Sequence, residues 1–117
     1  ALVQCHEFAA PEVQRRIGGK AWARWYVTGL TVDPAKAFRL RVWYRSEADF
    51  GGTVKVWVTG TAKGTMEARG LGTGGIWREL TIAGIRAPGG QVAVYLNLMD
   101  GLGTVWFDDV ELVAAED

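Results

Sequence analysis

The sequence predicts an all-β domain, a sandwich or a closed barrel. Three observations carry that prediction. Seven or eight short segments alternate apolar and polar residues with a period of two, as strands with one buried face do. Sixteen glycines against three prolines supply tight turns between those segments. No stretch places apolar residues at the three- and four-residue spacing of an amphipathic helix. At 117 residues the chain forms one domain, residues 1–117, long enough to bury a core.

The clearest element is Phe38–Arg45. Phe38, Leu40, Val42 and Tyr44 fall on one side of it, and Arg39, Arg41, Trp43 and Arg45 on the other. It reads as a central strand whose wet face carries a large aromatic ring among cations. Taken from the start, Ala1–Phe8 reads as a short strand. Ala9–Lys20, with Pro11 and Gly18-Gly19, reads as a loop with at most a helical turn over Glu12–Ile17. Trp22–Val32 is rich in aromatic and β-branched residues and stops at Asp33-Pro34, a strand and a turn.

After the central strand, Ser46–Gly52 is a polar loop. Thr53–Thr59 points Val54, Val56 and Val58 inward, and Lys55, Trp57 and Thr59 outward. Gly60–Gly64 turns the chain into Thr65–Arg69, an edge strand. Gly70–Gly75 is a flexible loop and not a dinucleotide fingerprint, because no helical pattern follows it. Trp77–Ile85 directs Leu80 and Ile82 inward. Gln91–Met99 directs Val92, Val94, Leu96 and Leu98 inward, with Gln91, Ala93, Tyr95, Asn97 and Met99 opposite. Turns at Ala87–Gly90 and Asp100–Gly103 frame that strand, and Thr104–Val113 is the last.

Composition narrows the functions. Thirteen basic and thirteen acidic residues leave no formal net charge, which argues against general electrostatic binding to nucleic acid or to a membrane. No apolar run approaches the roughly 20 residues of a membrane-spanning helix. Cys5 is the only cysteine, so no intrachain disulfide can form. His6 is the only histidine and Ser46 the only serine, which leaves no readable nucleophilic triad. Carboxylates are plentiful, yet none falls on the aromatic-bearing side of the three best-defined strands, where a glycosidase pair would be needed. The sequence therefore predicts a protein that is not an enzyme.

The aromatic side is the stronger signal. Trp43, Trp57 and Tyr95 share the parity opposite the valine and leucine rows. Arg39, Arg41, Arg45, Lys55, Gln91 and Asn97 share it too. Flat rings beside amide and cationic donors suit a ligand that stacks on its apolar face and is hydrogen-bonded at its edge, as a sugar is. The same rings could instead form a second small core beneath a loop. Trp22, Trp25, Trp77 and Trp106 read as core or rim residues.

The last strand, Gly103-Thr-Val-Trp-Phe-Asp-Asp-Val-Glu-Leu112, resembles the closing strand of β-jelly-roll carbohydrate-binding modules of the family 4/9/22 type. Leu30–Pro34 with Phe38–Arg45, and Gly75–Trp77 with Leu80 and Gln91–Leu98, look like its other strands in the same order. The resemblance implies a β-sandwich jelly roll of two antiparallel sheets. It also implies an extracellular module that binds a polysaccharide or oligosaccharide on a concave sheet face, as an accessory to a secreted glycan-active protein. Trp43, Trp57, Tyr95, Asn97, Arg41, Lys55 and Gln91 are the binding residues expected on that reading. A structural calcium is implied at Asp108, which matches a ligand position of the family. The family's usual opening strand is missing, so a gap at a sheet edge is expected, filled either by Ala1–Phe8 or, the favoured alternative, by a second copy of the chain. That makes a self-assembling extracellular β-sandwich domain the alternative function. A single-stranded nucleic-acid binder ranks behind both.

Overall fold

The computed structural model describes residues 5–8, 12–15, 22–48, 50–99 and 103–114. Nine strands follow in order: β1 (Cys5–Phe8), β2 (Glu12–Arg15), β3 (Trp22–Thr31), β4 (Ala37–Ser46), β5 (Thr53–Thr61), β6 (Gly64–Gly70), β7 (Arg78–Arg86), β8 (Gln91–Met99) and β9 (Gly103–Ala114). All the pairings are antiparallel, and they make two sheets. A four-stranded sheet runs β3-β8-β5-β6. A five-stranded sheet runs β1-β9-β4-β7, with β2 also on β9. This is the jelly-roll sandwich.

The core lies between the sheets and comes from the alternation that the sequence displays. Phe38, Leu40, Val42 and Tyr44 of β4 are buried, as are Val54, Val56 and Val58 of β5 and Val92, Val94, Leu96 and Leu98 of β8. Trp25 and Val27 of β3 pack against this core from the edge. Fully burying a side chain of this size is worth about 1.5–3 kcal/mol, so these rows dominate the fold's stability.

Strand β9 shows how a break in alternation is built. Val105 and Phe107 are buried at odd positions, Val110 and Leu112 at even ones. The phase changes at Asp108-Asp109, where the β4–β9 register shifts and Asp109 takes a φ of 49°. This is a β-bulge: one extra residue lets two inward pairs use different parities. The paired aspartates of the closing motif are that extra step, and both stay exposed.

Two expectations change. Glu12–Arg15, expected in a loop or a helical turn, is a strand whose backbone pairs with Gly103–Trp106. The edge expected to lie open is occupied from within the chain: β1 covers Val110–Val113 of β9 and β2 covers Gly103–Trp106. The β9 backbone groups at these positions are paired within the chain.

The loop after β6 is held firmly. The Ser46 backbone N–H donates to Thr73 Oγ1 at 2.9 Å and the Thr73 N–H donates to Ser46 Oγ at 2.7 Å, both buried. Gly75 N–H donates to the Ser46 carbonyl, and the Tyr44 hydroxyl to the Leu71 carbonyl, each at 2.9 Å. Burial raises the Tyr44 pKa by disfavouring its ionised form. The sequence's glycine loop is therefore a braced one.

Candidate functional site

The outer face of the four-stranded sheet carries two ranks of side chains, set by strand register. One rank is Tyr26–Tyr95–Trp57–Glu67, across β3, β8, β5 and β6. The next is Arg24–Asn97–Lys55–Arg69, across the same four strands. Neighbouring members of a rank stand about 4.8 Å apart, and the two ranks about 6.8 Å apart along the strands.

The first rank is an aromatic ladder. Tyr26 and Tyr95 stack with centroids 5.7 Å apart and planes at 27°. Trp57 meets Tyr95 edge-on at 6.3 Å and 60°. Tyr26, on the edge strand, is 59% exposed. The Trp57 indole N–H donates to Glu67 Oε1 at 2.7 Å, and Arg69 Nε donates to Glu67 Oε2. Arg69 first, then Trp57, stabilises the carboxylate form, and together they hold the Glu67 pKa below the usual glutamate range.

The second rank is polar and anchored by Asn97. Arg24 Nε donates to Asn97 Oδ1 at 2.7 Å, and Asn97 Nδ2 donates to the Lys55 carbonyl at 3.0 Å. The Arg24 guanidinium lies 5.1 Å from the centroids of both Trp57 and Tyr95, so it caps the ladder's inner half while reaching across from the polar rank. Asn97 is wholly buried beneath this layer although it points away from the core. Rings, amide and guanidinium are held in place by one another.

The structure divides the expected binding residues. It brings Trp57, Tyr95, Asn97 and Lys55 together. Gln91 shares their face but sits at the far end of β8, opposite Thr31 and about 14 Å from Tyr95 along the strand. Trp43 and Arg41 belong to β4 and lie on the opposite outer surface of the sandwich. Equal parity placed them outward but did not place them in the same sheet. Four residues of the face were missed: Arg24 and Tyr26 on β3, and Glu67 and Arg69 on β6. Glu67 adds a carboxylate to the face from β6, a strand outside the three on which none was expected.

On the other surface, Trp43, Trp77, Asp108 and Asp109 line an open cavity of about 260 Å³. Arg45 lies between Trp77 and Trp106, 5.3 and 4.6 Å from their ring centroids, and its buried Nε has no hydrogen-bond partner among the described residues. Arg41 Nη2 donates to Glu79 Oε2 at 2.9 Å, an ion pair that raises the Arg41 pKa and lowers that of Glu79. Asp108 Oδ1 accepts the Asp109 N–H at 2.8 Å. Among the described residues no three His, Cys, Asp or Glu side chains are grouped to hold a metal ion. Calcium takes six to eight oxygens, so the side chains around Asp108 do not make a calcium shell by themselves.

No protein-family model matches this sequence, and no curated protein matches it. Solved structures do. The chain has the jelly-roll fold of carbohydrate-binding modules. TmCBM61 in complex with β-1,4-galactotriose superposes with a TM-score of 0.75 at 16% identity, over 91% of this chain and 70% of that one. The CBM22-1 xylan-binding domain of Paenibacillus barcinonensis Xyn10C matches with a TM-score of 0.55 at 14% identity, over 91% of this chain and 86% of that one. The fold also serves a different chemistry. A Stig cyclase from Fischerella sp. TAU matches with a TM-score of 0.59 at 17% identity, over 86% of this chain and 60% of that one.

Proposed function

We propose that this protein is a non-catalytic module that binds a polysaccharide chain across the outer face of its four-stranded sheet. The observation that carries the reading is the ladder of Tyr26, Tyr95 and Trp57 on three adjacent strands, with Asn97 and Arg24 beside it. Sugar rings offer apolar C–H faces to such rings, and the Arg24 guanidinium, held in place by the buried Asn97 amide, orients hydroxyls at the ring edge. The fold likeness to modules described with galactotriose and as xylan-binding adds support. So does the state of Glu67. A general acid works best with a pKa near the operating pH, whereas this carboxyl is held ionised. An extracellular location and an accessory role beside a glycan-active protein belong to the same proposal. A calcium at Asp108 belongs to it only as an ion whose shell backbone carbonyls and water complete.

Affinity electrophoresis through gels containing a β-1,4-galactan or a xylan tests the reading. Retardation is expected for the natural protein and for Trp43→Ala, which changes the opposite surface. Trp57→Ala and Tyr95→Ala should lose it while keeping the folded spectrum. Retention of binding in both of those variants, or its loss in Trp43→Ala, would move the site off this face. Melting with calcium and with a chelator tests the ion: equal midpoints would remove it.

A further inference from the structure

Resting on that reading, we infer that the glycan this face selects is anionic, with carboxylate or sulfate groups carried on the sugar rings. Three cations stand in the polar rank, Arg24, Lys55 and Arg69, and the neighbouring aromatic rank holds one acid, Glu67. The opposite surface is the internal comparison. There Arg39, Arg41 and Arg45 share their face with Glu79, Asp108 and Glu111, and Arg41 is directly bridged to Glu79. Among the described residues, the cations of one surface face as many acids, while Lys55 and Arg69 on the other share the single acid Glu67.

The register sharpens the point. Lys55 lies directly opposite Arg69 on the adjacent strand. Like charges in directly opposed positions are destabilising in a sheet. Glu67 engages Arg69 from two residues away on the same strand, and its carboxylate also accepts the Trp57 N–H, so this one acid is already shared by two donors. A negative group placed over Lys55 and Arg69 relieves that opposition. The spacing puts it there. A pyranose seated at the Trp57 end of the ladder, beside the Arg24 guanidinium that caps it, would extend its ring substituents toward Lys55 and Arg69, about 6.8 Å along the strands. The aromatic rank supplies the floor, and the cationic rank reads the substituent's charge.

The test compares acidic glycans with their own neutralised forms: a polyuronate against its carboxyl-reduced counterpart, and a sulfated galactan against the desulfated polymer. At about 0.01 M salt, where the Debye length is about 30 Å, at least one acidic member should bind roughly tenfold more tightly than its neutral partner. Which pair shows the preference identifies carboxylate or sulfate as the recognised group. The advantage should fade toward 1 M salt, where screening acts within about 3 Å. Lys55→Gln and Arg69→Gln are surface changes that leave the ladder intact. Each should cut the advantage, read as the ratio of acidic to neutral binding so that any loss common to both cancels, about two- to fivefold, the range of exposed ion pairs. Equal binding of both members of both pairs overturns the inference and leaves the polysaccharide reading standing. Binding to none of the four overturns both. A preference that is undiminished in the Lys55→Gln/Arg69→Gln double variant also overturns it, since the charge would then be read elsewhere.

Discussion

Arg24 and Asn97 meet across the β3–β8 pair, the guanidinium Nε donating to the amide oxygen at 2.7 Å. Asn97 turns its other end to the Lys55 carbonyl on β5, so one buried amide links three strands on the outer face. Asn97→Ala should cost about 1–3 kcal/mol in urea unfolding, since it leaves donor and acceptor groups unpaired in a covered layer. It should also weaken glycan binding by releasing Arg24 from its place above the rings. An unchanged urea midpoint would mean that the amide is dispensable to this layer.

The Glu67 carboxylate gives a pH signature. Its folded pKa is depressed, first by Arg69 and then by Trp57. A depressed acid contributes stability above its unfolded pKa of about 4.3 and loses it as pH falls through the folded value. Glu67→Gln should therefore be less stable than the natural protein near pH 7, with the gap closing below about pH 4. The group is exposed, so the gap is small. A gap constant from pH 7 to pH 2.5 would contradict the pairing.

Gly70 is required by Tyr44. A Cβ built on Gly70 would collide with the Tyr44 hydroxyl, which is fixed on the Leu71 carbonyl. Gly70→Ala should lower stability by about 1–3 kcal/mol, the usual cost of forcing volume into packed space. Tyr44→Phe should relieve part of that cost in the double variant. Strictly additive effects in the cycle would show that the two do not interact.

Ser46 and Thr73 form a reciprocal buried pair, so Ser46→Ala leaves the Thr73 N–H without its acceptor. About 1–3 kcal/mol of destabilisation is expected, together with faster amide exchange in residues 71–77. Exchange in that loop that matches the natural protein would place the brace elsewhere.

Much of this was legible in the sequence, with an identifiable limit. Period-two alternation gives each residue's side within its own strand, and Phe38 to Tyr44, Val54 to Val58 and Val92 to Leu98 are buried as it requires. Alternation says nothing about which of two sheets a strand joins. Trp43 and Trp57 therefore read alike although the core separates them. Tyr26 was hidden for another reason. Strand β3 has large rings on both faces, Trp25 against the core and Tyr26 outside, and Gly29 with φ 68° sits where its register slips. Glu12–Arg15 has no alternating apolar pattern to announce a strand. Its pairing with β9 is a matter of tertiary context, which local sequence does not encode.

Because β1 and β2 both lie against β9, the outermost pairings of one sheet join segments from opposite ends of the sequence. That sets an order of events during synthesis. At roughly 5–20 residues per second, the partners of β1 and β2 emerge about 5–20 s after them. Through that interval β4 and β7 can pair, but the other edge of β4 lacks its β9 neighbour, and β1 and β2 have no β9 edge to join. The nascent chain waits with a half-built sheet, and its apolar rows are open to chaperones and to other chains. Loop closure over such a span favours slow folding with late closure of β9. The last strand acts as a zip fastener's slider: only when it arrives do the earliest strands acquire a place.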